Sequence, residues 1–131
     1  MKFKILTLIT LLAFSSIGHA HEGHDQLPGQ LKALHGGLVK TGKEMNLEMV
    51  FAQETAKFYP VAHENETIDL SKVKLTGTAK KPKGKETPLS FNSDGKSFTT
   101  KVDLKGSYRA DLVIQVEYDG KKDTFKFLVE K

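Results

Sequence analysis

Histidine is crowded towards one end of this chain. Of the five histidines, His21, His24 and His35 fall within a span of fifteen residues, and "HEGHDQ" adds Glu22 and Asp25 beside the first two. Neutral imidazole is the commonest protein ligand for Zn(II), Cu(II) and Ni(II), and carboxylates complete such sites. If the chain is cut before His21, that residue presents its α-amine and its imidazole together as a chelating pair. Glu22, His24 and Asp25 could then close around one ion. The alternative is a polar tail in which histidines happen to fall.

A second constellation begins at "LHGGLV", residues 34–39, where two glycines let the backbone turn sharply after His35 while the imidazole stays open. His35 at a strand entrance, with Glu48 on the following strand, makes a candidate fixed two-ligand site; the competing reading is a turn histidine with no ligand role. His63, in "VAHENET" beside Glu64 and Glu66, falls in an expected loop, either joining an ion or lying solvated. Met45 and Met49 offer thioether sulfurs for Cu(I) or Ag(I), but their alternation with Leu47 and Phe51 assigns them to the core. Glu44 and Glu48 read as a solvent-facing row. With no cysteine in the chain, thiolate ligands and disulfides are excluded. Glycine-rich phosphate loops, a G-x-S-x-G elbow and an H-E-x-x-H helix are absent from the sequence, so a non-enzymatic role is expected, with a divalent metal ion or copper in place of any organic cofactor.

The elements that must position these residues come from hydropathy and turns. Residues 1–20 have the form of a secretory signal: Lys2 and Lys4, an apolar run from Ile5 to Phe14, and Gly18 and Ala20 as a small-x-small cleavage site before His21. The expected destination is the periplasm or the exterior, without stable membrane insertion after cleavage. Two of the 20 basic residues and none of the 16 acidic ones lie in that segment, leaving 18 against 16, or +2 with neutral histidines. So mild a balance argues against nucleic acid as the main partner.

Residues 21–35 lack a sustained apolar period and predict a flexible His- and acid-rich arm, with at most a helical turn at Leu31 to Leu34. Residues 36–131 then show period two: Met45, Leu47, Met49 and Phe51; Val73, Leu75, Gly77 and Ala79; Phe98, Thr100, Val102 and Leu104; Leu112, Ile114, Val116 and Tyr118; Phe125, Phe127 and Val129. Segments 56–62 and 87–91 predict weaker strands, Pro60 placing the first at an edge or bulge. Asp119 and Gly120 suit a tight hairpin. Seven or eight short strands with turns between them predict one all-β domain, an immunoglobulin-like or fibronectin-like Greek-key β-sandwich, with a small closed barrel as runner-up. Tyr108 would either pin a corner of it or sit half-buried. The lysine run Lys80, Lys81, Lys83 and Lys85 reads as a solvated hairpin loop or a contact for an anionic surface.

"HGGLVKTGKEMNLEMVF", "AKFYPVAHENETIDL" and "VKLTGTAK" together resemble the small β-rich domain of periplasmic adaptor subunits of heavy-metal efflux pumps of the resistance-nodulation-division class, and stand-alone exported proteins similar to it. The resemblance covers residues 34–80 well and the remainder only through strand rhythm. It singles out His35, Gly36, Gly37 and Glu48. The lipoyl-like domain, helical hairpin and barrel of an adaptor are missing, so it implies a free-standing periplasmic metal-binding domain that buffers ions or delivers them to an efflux-pump component. The alternatives are an exported interaction module contacting a protein through a sheet edge, with "FYPVA" and the lysine loop as its surfaces, and a sugar- or small-molecule-binding sandwich.

Overall fold

The computed structural model describes residues 32–63 and 68–131. Their alternating residues fold into two antiparallel sheets with no α-helix. The strands are β1 (Leu38–Thr41), β2 (Met45–Ala52), β3 (Thr55–Ala62), β4 (Val73–Lys80), β5 (Thr87–Pro88), β6 (Asn92–Ser93), β7 (Phe98–Lys101), β8 (Arg109–Tyr118) and β9 (Lys121–Glu130). One sheet runs β1-β2-β3-β7-β6, the other β5-β4-β8-β9. With β1 set aside, this is the strand order of an immunoglobulin-like sandwich, the chain crossing between sheets after β3, β5 and β7. The count of nine exceeds the expected seven or eight because β5 and β6 are two-residue pairings.

Inward rows from both sheets form the core. Leu47, Phe58, Leu112 and Ile114 are fully buried, each contributing about 1.5–3 kcal/mol through apolar surface removed from water. Phe58 of the first sheet meets Phe127 of the second edge to face, ring centroids 5.7 Å apart. Met45 and Met49 lie in this core, as their alternation with Leu47 predicts. Asp119 and Gly120 take φ of 51° and 73°, the positive pair that a two-residue hairpin between β8 and β9 requires.

Some expectations hold and others are corrected. "FYPVA" belongs to β3, and beyond Phe58 its residues Tyr59 to Ala62 pair with β2 alone, the edge position that Pro60 predicts. Pro60 is tolerated because β7 pairs only with Thr55 to Phe58, leaving β3 with a single neighbour at the proline. Tyr108 is 61% exposed and carries Arg109 over its ring, so it neither pins a corner nor sits half-buried. In the β1–β2 register Leu38 faces Met49 and Val39 faces Glu48.

The largest departure concerns β2. Met45 to Met49 are buried on both faces, so Glu48 is no member of a solvent-facing row: it is 1% exposed. The cause is the segment before β1, which lies across the outer face and hydrogen-bonds to Glu48. Leu34 and His35 therefore belong to the ordered fold, and residues 34–37 are bends where a helical turn reaching Leu34 was expected.

Candidate functional site

The site is built on the outer face of the first sheet. Strand alternation sends Glu48 of β2 and Tyr59 of β3 to that face, and the register sets them directly opposite each other. The segment carrying His35 is laid over them by its two glycines, each for a different reason. Gly36 has φ of 73°, which disfavours a side chain, and Gly37 passes so close to the Met49 carbonyl that a Cβ there would collide with backbone.

Glu48 gathers four donors. The amides of Leu34, His35 and Gly37 donate to its two carboxylate oxygens at 3.1, 2.8 and 3.0 Å, and His35 Nδ1 lies 2.9 Å from Oε2. Burial alone would push the Glu48 carboxyl upward. The His35 ring and the amides of Gly37, His35 and Leu34 outweigh it, holding the group below its ordinary value and ionised at neutral pH. An ionised carboxylate only accepts, so Nδ1 carries the proton, and in the neutral ring Nε2 keeps its lone pair. The imidazole also stacks on Tyr59, centroids 3.6 Å apart and planes within 6°. Two contacts thus fix the ring, while the side chain remains 41% exposed.

His35 and Glu48 were expected to share one end of the sheet, and they do. Their roles differ, however. Both Glu48 oxygens face donors from this same segment, so Glu48 stands behind the imidazole as its orienting partner, and Nε2 is the ring nitrogen that Glu48 leaves uncommitted. His63 follows directly on the end of β3, four residues beyond Tyr59. Its Nε2 is buried without a hydrogen-bond partner. His21, Glu22, His24 and Asp25 lie outside the described residues. Among the described residues, no three His, Cys, Asp or Glu side chains converge as a metal cage.

Beside His35 runs an open groove of about 520 Å³. Its floor is the outer row of β3, including Lys57 and Tyr59, and its far wall is the β6–β7 turn, with Asp94, Lys96 and Ser97. Asp94 holds that turn: the amides of Lys96 and Ser97 donate to it at 2.8 and 2.7 Å, keeping its carboxyl below the ordinary range. Sequence reasoning missed Tyr59, Lys57 and Lys96. Only Tyr59 left a signal, as an aromatic at an outward position of β3.

No protein-family model matches the chain, and no curated protein does. Among solved structures, a DUF4426 family protein from Pseudomonas aeruginosa PAO1 is similar, with a TM-score of 0.54 at 17% identity, over 76% of this chain and 97% of the other. At that identity the likeness is one of fold alone.

Proposed function

We propose that the chain is an exported, non-enzymatic metal-ion-binding protein, taking copper, zinc or nickel and buffering it in the periplasm or delivering it to an efflux component. One observation carries this reading: the imidazole of His35 is fixed by a buried carboxylate on Nδ1 and by stacking on Tyr59, its side chain is 41% exposed, and Nε2 is not engaged by Glu48. A carboxylate behind a histidine is the usual support of a metal-ligating imidazole, because it selects the tautomer and raises the basicity of the free nitrogen. Pre-ordering removes much of the entropy that binding would otherwise cost. His21, Glu22, His24 and Asp25 would form a second, weaker site, separate from His35.

Equilibrium dialysis of the protein against Cu(II), Ni(II) and Zn(II) tests the reading. His35→Ala should remove the tighter of two binding phases, and deletion of residues 21–25 only the weaker. Retention of every phase in the His35→Ala protein, or the absence of any phase tighter than about millimolar in the unaltered one, would overturn it.

A further inference from the structure

The groove beside His35 has the wrong chemistry for a bare cation. A naked divalent ion needs several negative or neutral donors drawn tightly together. What surrounds this opening instead is one imidazole and two lysines, Lys57 and Lys96, in a space of about 520 Å³, far more than a single ion fills. The one nearby carboxylate, Asp94, is committed to the amides of Lys96 and Ser97 and to the Ser97 hydroxyl. Lys57 lies close enough to Asp94 to help hold its charge, so the two lysines against one aspartate leave one surplus positive charge around the groove.

Those features agree if the ion arrives already wrapped. We propose that the groove binds a divalent metal ion together with a small anionic polycarboxylate chelator, His35 Nε2 entering the ion's open coordination position while Lys57 and Lys96 pair with the chelator's carboxylates. This rests on the metal-binding reading of His35 and specifies its ligand. The chelator supplies the donors that the described residues lack, and its negative charge answers the lysines that would repel a free cation. The open groove accommodates a molecule of that size, and Tyr59, already capped by the imidazole, forms part of its floor.

The test is calorimetric titration of the purified protein with Ni(II) alone, with the one-to-one Ni(II)–citrate complex, and with citrate alone. The complex should bind at least tenfold more tightly than either component. Lys57→Glu combined with Lys96→Glu should abolish that preference and leave Ni(II) alone no weaker, and His35→Ala should reduce both metal forms. Ni(II) alone binding through His35 as tightly as the complex would overturn the chelate proposal while leaving the metal reading standing. Citrate alone binding as tightly as the complex would make the groove an anion site and also overturn it. A preference that survives the double charge reversal would overturn the role of the groove lysines and with it the proposal. Absence of binding in all three titrations would remove the metal reading as well. The lysine side chains are long and the positions lie outside the core, so a folded protein is expected, checked by circular dichroism.

Discussion

Two carboxylates in this domain perform the same structural task at opposite ends of β1 and β2, and only one also holds a histidine side chain. Glu48 takes the amides of Leu34, His35 and Gly37, pinning the chain before β1. Asp123, at the start of β9, takes the amides of Lys43, Glu44 and Met45 at 3.1, 2.8 and 3.0 Å, pinning the β1–β2 turn against the second sheet. Each is nearly sealed from water, 1% and 7% exposed. A carboxylate that accepts several amides substitutes for a missing strand or cap where backbone donors would otherwise be stranded. The difference is the fourth donor: Glu48 also receives an imidazole, so the anchor that orders a loop orients the His35 ring at the same time. Asp123 receives amides alone and serves the fold.

Removing each anchor should separate these duties. Asp123→Ala should have the largest effect on stability, about 3 kcal/mol in urea unfolding, because three amides lose a charged acceptor where the two sheets join. Ion affinity of the folded fraction should stay as it was. If affinity falls in step with stability, the two anchors are not independent. Glu48→Gln should cost less, about 1–2 kcal/mol, since an amide oxygen still accepts from part of the loop. Its affinity for Cu(II) or Ni(II) should drop about tenfold or more, the effect expected when the partner behind a ligating histidine is weakened. Unchanged affinity would reduce the His35–Glu48 pair to a loop fastener.

Between these anchors sits Asn46, on the same outer face, fully buried with neither side-chain oxygen nor nitrogen hydrogen-bonded. Asn46→Leu should stabilise the domain by about 1 kcal/mol, because a buried amide without partners forfeits its hydration. A loss of stability in thermal melts would show that the amide has a partner in the folded protein.

The smallest effect is on pH dependence. Glu48 titrates in the folded protein below its ordinary value of 4.5. The unfolded state therefore takes up the proton first, and the stability Glu48 contributes is complete above that value and is lost as pH falls through the lower native one. Denaturation curves from about pH 6 down to about pH 3 should fall less steeply for Glu48→Gln than for the unaltered protein. Parallel curves would mean that other carboxylates dominate the acid response.

The domain's architecture was legible in its residues because strand alternation is local. Met45, Leu47 and Met49 announce one buried face, and "YDGK" announces the hairpin between β8 and β9, whatever the rest of the chain does. The pairing of His35 with Glu48 was within reach as well, since they lie in neighbouring elements of one hairpin. Tertiary structure decided which groups those neighbours meet. By parity Glu48 belongs to the outer face, and it is buried only because the segment before β1 folds back over that face. Lys57, Tyr59 and Lys96 are gathered around His35 only by the order β2-β3-β7 and by the turn ahead of β7. Asp123 reaches amides up to 80 residues away. Side-chain period is set by the backbone of a single strand, whereas burial and partnership on its second face are set by whichever distant segment the packing brings across it.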